Sequence, residues 1–390
     1  MKYCDLTQFY SPVSGGVRRY LEQKVAYVRA HCPDDEHILI VPGAKTERLG
    51  DAKARVYTIE SPLVSKTSRY RALLKLHLVE EILEREKPHL IESGDPYQVA
   101  WKAVASGRAL GIPTVGFYHS HFPEASIRSV SKFLGRIPTE IAQEISRRYI
   151  RALYNKFERT LVPSPALAAL LTDWGVENIA NTDLGVDIDV FTPEESDPGA
   201  LRRELDIPAD RTLLLYVGRL APEKNVQTLF KGFEVLNARQ PGRFHLLAVG
   251  DGTRRSELEH ARAYTGAVSW MPYCGEAREL ARIYRSADIF VHPGILETFG
   301  LVTLEAQACG LPVVGIRGSY MDRIIFTNQS HWAAENTPEA LAAAIDAATR
   351  TDLRAAGASA SRTVRDRYAW TTIFERLFSI YRTVIAEYNP

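Results

Sequence analysis

Two glutamates, Glu297 and Glu305, stand eight residues apart with Phe299 and Gly300 between them, where a loop gives way to a helix. Neither has a cation in its own segment. A carboxylate accepts through two oxygens, so each suits vicinal hydroxyls on a sugar or a ribose better than a metal ion or an acid/base pair. Glu297 precedes the helix and faces its positive end. Glu305 lies in the second turn, carried further along at about 1.5 Å per residue. The two thus address different parts of one elongated ligand, and the apolar residues around them argue against two solvated helix acids.

Other loops supply complementary chemistry. The run LLLYVG (213–218) leads into Arg219 and Lys224, five residues apart around Pro222. Two cations at a strand's C-terminal edge suit a diphosphate: arginine forks onto phosphate oxygens and lysine acts as a point charge. The helix starting near Leu301 presents amides suited to a phosphate or a sugar hydroxyl. Gly15 and Gly16 open another helix; lacking Cβ atoms, they let backbone approach a ligand, although a tight turn would use the same pair. No GxGxxG accompanies them, which counts against a nicotinamide site. Gly250-Asp251-Gly252 fits a site wall without chemistry of its own. His119 follows the apolar run PTVGFY (113–118), with His121 two residues on. A histidine there serves as a satisfied core residue or as a site residue, and no third ligand makes the pair a metal site.

The elements that must position these residues alternate. Apolar runs at 37–41, 55–59, 89–93, 113–118 and 159–163 are read as strands, as are 213–218, 244–250, 287–293 and 311–315. Helical spacing follows Gly16 and recurs at 226–237, 276–286, 301–309 and 371–388. That alternation predicts an α/β chain with two Rossmann-like, doubly wound parallel-sheet domains, their strand C-termini facing across a cleft. The Pro-, Asp- and Glu-rich stretch before 211 reads as the connection. The expected domains are 1–190, with the C-terminal helix 371–390 packing back on it, and 191–370.

The 390 residues carry a net charge of +1, which argues for no polyanionic partner such as nucleic acid. Locally, 126–160 holds eight basic residues (Arg128, Lys132, Arg136, Arg147, Arg148, Arg151, Lys156 and Arg159) against Glu140, Glu144 and Glu158. Apolar residues interleave them as in amphipathic helices. Two readings stand: solvated helix faces, or adsorption to an anionic membrane surface. Nothing resembles a leader peptide or a membrane span, so a cytoplasmic protein, peripheral at most, is expected. Cys4, Cys32, Cys274 and Cys309 match no metal or disulfide spacing and are expected as reduced, buried thiols.

The ordered set GGV (15–17), GRLAPEKN (218–225), GDG (250–252) and ETFGLVTLEAQACGLPVV (297–314) resembles retaining glycosyltransferase family 4, also called group 1, with the GT-B fold. The likeness runs over nearly the whole chain and is strongest from Tyr216 to Val314. It implies transfer of a hexose from a nucleotide diphosphate sugar, GDP-mannose or a UDP-hexose, to a hydroxyl acceptor, sugar or lipid-linked, without metal or other cofactor. It implies that Arg219 and Lys224 hold the diphosphate and that Gly15 and Gly16 face the phosphate and reacting sugar. Glu305 would accept the ribose hydroxyls. Glu297 would contact the donor sugar, with Thr298, Phe299, Gly300 and Leu301 beside it, and His119 would stand near that sugar. The base is expected against Tyr273, Cys274 and Gly275, and the acceptor near Ser93–Tyr97. Catalytic roles fall to His119, Glu297, Arg219 and Lys224. A non-catalytic nucleotide-sugar or glycan-binding protein on the same fold is the alternative. Two positions depart from the family pattern: IRGSYMDRII (316–325) replaces a Gly-Gly-x-Pro-Glu-like loop, and Leu184 stands where Asn usually precedes Gly-Val-Asp. Asp187 and Asp189 spell a DxD but sit in that linker motif, and a metal role is not expected of them.

Overall fold

A computed structural model describes residues 1–11, 15–64, 69–119, 139–194, 197–295, 297, 299–319 and 321–388. Thr298, His121 and the basic residues of 120–138 lie outside them. The chain divides into two compact units, Met1–Leu184 with Ile373–Pro390, and Gly185–Thr372.

In the first unit, the described strands are β1 (Lys2–Leu6), β2 (Glu36–Gly43), β3 (Glu47–Gly50), β4 (Ala54–Glu60), β5 (Leu90–Ser93), β6 (Thr114–Phe117), β7 (Arg159–Val162) and β8 (Ile179–Asn181). They form one sheet in the order β3-β4-β2-β1-β5-β6-β7-β8. All neighbours are parallel except β3 and β4. Strand β2 is centred on an apolar run, and both β1 and β2 are buried along most of their length, as parallel strands covered by helices must be; the one acid of β1, Asp5, is paired with Lys24 at 2.7 Å. The chain winds from β1 to β2 on one side and to β5 on the other, so the strand order reverses at β1/β5. The helix Trp370–Glu387 belongs to this core: Phe378 meets Tyr3 edge-on at 4.8 Å, and Phe374 packs on Tyr20 at 5.8 Å.

In the second unit, β9 (Thr212–Val217), β10 (Phe244–Val249), β11 (Val268–Met271), β12 (Ile289–Val291) and β13 (Val313–Val314) form a parallel sheet ordered β11-β10-β9-β12-β13. Leu214, Leu246, Ile289 and Val314 lie in its buried core beside Leu229, Phe233 and Leu341 from the covering helices. Here the order reverses at β9/β12. Loops leaving the C-terminal ends of two such strands diverge and leave a crevice for a ligand. Those two loops carry Arg219 and Lys224 after β9, and Glu297 after β12.

Strands β1, β3, β8 and β11 were not among the apolar runs read from the sequence. They are short, and β3 (ERLG) is exposed throughout, so pairing with β4 rather than burial makes it a strand. Of the four cysteines, all free, Cys4 and Cys309 are buried, whereas Cys32 and Cys274 are partly exposed, contrary to the expectation of four buried thiols. Asp187 accepts the backbone amides of Asp189 and Val190 at 3.2 and 3.3 Å, which gives it a turn-forming role.

Candidate active site

The cation loop after β9 is built on glycine. Gly250 adopts φ +131°, and a Cβ there would lie 2.1 Å from the Gly218 carbonyl oxygen. A Cβ on Gly252 would lie 2.3 Å from the Leu220 carbonyl. The GDG loop therefore packs backbone to backbone against Gly218–Leu220. The Leu220 amide donates to the Asp251 carbonyl at 3.0 Å, and the Arg254 amide to the Leu220 carbonyl at 2.8 Å. Trp270 Nε1 steadies the Gly250 carbonyl at 2.7 Å, beneath the Arg255 guanidinium. The GDG loop thus braces the loop that carries the cations.

Pro222–Lys224 forms one 3-10 turn, ended by Asn225 in the left-handed region at φ +55°. Asn225 Nδ2 donates to the Pro293 carbonyl at 2.8 Å and to Asn336 Oδ1 at 2.7 Å, and Asn225 Oδ1 accepts from the Thr228 hydroxyl at 2.9 Å. The cation loop is thereby tied to the end of β12. Across that tie, Lys224 Nζ lies 2.5 Å from Glu297 Oε1. Burial works to raise the Glu297 pKa, but the Lys224 ammonium, with His292, brings it below the ordinary carboxylate value, so the group stays ionised. His292 Nε2 stands 3.8 Å from the same oxygen. Burial holds the His292 pKa below the usual imidazole range. Gly294 makes room: a Cβ there would come within 2.9 Å of His292 and 3.1 Å of Glu297.

Arg219 behaves differently. Its side chain is 72% exposed and reaches Glu223 at 3.1 Å. An exposed pair of that kind contributes little, so the guanidinium can turn to another anion at small cost.

The helix Leu301–Ala308 starts at Gly300 with φ +82° and no side-chain cap on its first amides. A Cβ at Gly300 would collide with Met321, whose Cε would be 2.1 Å away. Phe299 is buried, with the Arg323 guanidinium over its ring at 5.2 Å. Glu305 is 2% exposed and accepts from the Tyr284 hydroxyl at 3.1 Å. A buried carboxylate on one turn and an uncapped helix start one turn earlier form an acceptor and a donor surface on the same element. Tyr273 is half exposed, Cys274 Sγ lies 3.5 Å from the Glu276 carbonyl, and a Cβ on Gly275 would press on the Tyr273 ring. In IRGSYMDRII, Asp322 accepts the Gly318 and Ser319 amides at 2.9 and 3.1 Å, closing that loop on itself.

Residues 199–362 match the family described as glycosyl transferases group 1, and residues 14–190 match glycosyltransferase family 4. A GDP-mannose-dependent alpha-mannosyltransferase of Corynebacterium glutamicum is 30% identical over 326 residues, 81% of this chain and 72% of that protein. A GDP-mannose-dependent alpha-(1-6)-phosphatidylinositol dimannoside mannosyltransferase of Mycobacterium tuberculosis is 31% identical over 353 residues, 88% of this chain and 87% of the relative. The chain belongs to glycosyltransferase family 4. Its fold is GT-B: the sucrose-phosphate synthase of Thermosynechococcus elongatus superposes with a TM-score of 0.74 at 20% identity, covering 99% of each chain. The protein is a nucleotide-sugar-dependent glycosyltransferase.

In the first unit of this glycosyltransferase, the residues singled out from sequence lie at the ends of central strands. Gly15, at the N-terminus of the helix Gly16–His31, has no described atom within 4 Å of where its Cβ would be, and no side chain caps that helix. His119, partly buried just after β6, has Nε2 on the Gly94 carbonyl, and burial lowers its pKa. Asp95, beside Gly94, accepts from the Gln8 amide at 2.7 Å and the Thr7 hydroxyl at 3.2 Å, joining the loops after β1 and β5. Sequence reasoning passed over Asn225, His292, Gly294 and Tyr284 in the second unit. For Asn225 a signal existed, because asparagine tolerates the left-handed region between a tight turn and a helix. For Tyr284 none did: its hydroxyl meets Glu305 only through helix packing.

Proposed function

We propose that this glycosyltransferase moves a mannosyl group from GDP-mannose, with retention of anomeric configuration, to a hydroxyl of a lipid-linked acceptor, without a metal. The observation that carries the reading is the Lys224–Glu297 pair at 2.5 Å, set before an uncapped helix start at Gly300. A diphosphate competes for Lys224 and is met by Arg219 and the amides of Gly300 and Leu301. Freed from its lysine, Glu297 accepts hydroxyls of the donor sugar, while Glu305 accepts those of the ribose and the base rests on Tyr273, Cys274 and Gly275. Gly15, Gly16 and His119 are assigned to the sugar and phosphate, and Ser93–Tyr97 to the acceptor.

In the proposed step the bond from the anomeric carbon to the phosphate oxygen breaks. The acceptor oxygen bonds to that carbon on the same face, and its proton passes to the leaving phosphate. The protein supplies position and fixed charge; Lys224, Arg219 and the helix start stabilise the diphosphate as it departs. Glu297 is not a nucleophile in this reading. The donor follows the relatives, both named for GDP-mannose, and one of them is named for a phosphatidylinositol dimannoside acceptor.

Membrane contact is supported by the helix Thr139–Tyr154, which exposes Ile141 and Ile145 near Arg147, Arg148 and Arg151. No described helix is long and apolar enough to cross a membrane. A cytoplasmic enzyme working at the inner membrane face fits both features.

The test is turnover with a panel of nucleotide sugars and a lipid extract, in the presence of chelator. GDP-mannose is expected to give an α-linked product with undiminished rate in EDTA. Turnover of a UDP-hexose with none of GDP-mannose rejects the donor; a β-linked product rejects retention; loss of rate restored by a divalent cation rejects metal independence. Failure to sediment with anionic vesicles at low salt rejects membrane contact.

A further inference from the structure

At the opposite ends of the first unit's strands from Gly94 and His119, a cavity of about 530 Å³ is lined by Lys2, Glu36, Arg48, Arg55, Tyr57, Arg85 and Glu86. Lys2 and Glu36 are the first residues of β1 and β2, and Arg55 is the second of β4. Four cations face two carboxylates there. Both carboxylates are already engaged: Glu86 Oε2 lies 3.0 Å from Arg55 and 3.4 Å from Lys2, Tyr57 donates to Glu86 Oε1, and Glu36 pairs with Arg55. Burial alone would raise the Glu86 pKa, yet the Tyr57 hydrogen bond and the charges of Arg55 and Lys2 bring it below the usual value. The wall is thus internally neutralised with two guanidiniums left over.

Those two are Arg48, on the exposed edge strand β3, and Arg85, in the last turn of Leu76–Glu86 and over the Tyr57 ring at 5.2 Å. Neither has a carboxylate within ion-pair distance among the described residues. Arg55, only 6% exposed, adds a buried Nε with no acceptor. An excess of two fork-shaped cations beside an aromatic face matches a doubly charged tetrahedral oxyanion on a small organic group.

The geometry points to a second ligand site in which Arg48 and Arg85 grip a phosphate monoester, with Arg55 and Tyr57 as its floor. The site lies at the other ends of the first unit's strands from those that carry His119. The ester is either a soluble metabolite or the headgroup of a lipid.

Calorimetric titration of the full chain with glycerol 3-phosphate, with glycerol as the uncharged control, tests the soluble source. Sedimentation with vesicles containing phosphatidic acid, against vesicles of the same charge made with phosphatidylglycerol, tests the lipid source. Saturable binding of the monoester in either arm is expected, weakened at least about tenfold in R48S/R85S, since two charge-assisted contacts are removed. The unchanged thermal midpoint of that variant would show that it folds. The K224A variant is expected to bind the monoester as the wild type does. Binding lost in K224A but kept in R48S/R85S, or no preference for the monoester in either arm, overturns the inference.

Discussion

Lys224 and Glu297 lie 73 residues apart in the chain, and their side chains meet at 2.5 Å. The contact joins the two loops that diverge where the strand order reverses, between β9 and β12. It sets a cation and an acid against each other in one place.

In the proposed step, Lys224→Ala removes a charge that stabilises the departing diphosphate. We expect kcat/KM to fall at least about a hundredfold, roughly 3 kcal/mol of transition-state stabilisation, and Glu305→Ala to match it. Steady-state kinetics with the donor varied would check this; wild-type-like turnover in both variants would refute the assigned roles.

Asn225 holds the cation loop to the Pro293 carbonyl and to Asn336. Asn225→Gly keeps the backbone at φ +55° while deleting the tie, so it isolates positioning from strain. Donor KM should rise about tenfold with a smaller change in thermal midpoint. Asn225→Ala should lose both, because alanine adds left-handed strain.

Gly252→Ala drives a Cβ to within 2.3 Å of the Leu220 carbonyl. Backbone cannot yield as a side-chain end does, so the cation loop must shift. A destabilisation of about 2 kcal/mol or more and a weaker donor affinity are expected, read by denaturant unfolding and by donor-induced thermal shift.

Tyr284→Phe deletes the hydroxyl that donates to Glu305 at 3.1 Å and leaves the ring's packing intact. A buried carboxylate that loses a donor costs about 1–3 kcal/mol. Calorimetry should show that loss, and donor KM should rise more than kcat falls if Glu305 serves ground-state binding as well.

Asp95 has its pKa raised from 3.8 to about 6, because burial outweighs its hydrogen bonds from Gln8, Tyr97 and Thr7. An acid whose folded pKa is raised keeps its proton in the native state after the unfolded chain has released it. Its stabilising contribution is therefore complete below about pH 4 and is lost as the pH rises to about 6. Urea midpoints between pH 4 and 6 should fall less steeply with rising pH in Asp95→Asn than in the wild type; identical slopes would contradict the shift.

Long apolar runs made β2, β9 and β10 readable, because strands buried on both faces must be apolar throughout. The same rule hid β3, whose four exposed residues become a strand only by pairing with β4. The helix start near Leu301 was readable from the sequence, whereas the φ +82° of Gly300, which few residues reach without strain, came only with the structure. Cys32 and Cys274 were misjudged because cysteine's preference for the interior is a statistical tendency, and neighbouring packing decides it.

The sequence by itself determined the alternation of strands and helices, the α/β class, and the placing of chemically capable residues just after strands, since periodicity and glycine are local properties. Only the tertiary structure decided that Lys224 meets Glu297, that Tyr284 reaches Glu305, that Asn225 spans two loops, and that Arg48 and Arg85 are left over beside a neutralised wall. Those facts depend on strand order and on which side chains share a buried volume, and neither is written in the spacing of any one segment.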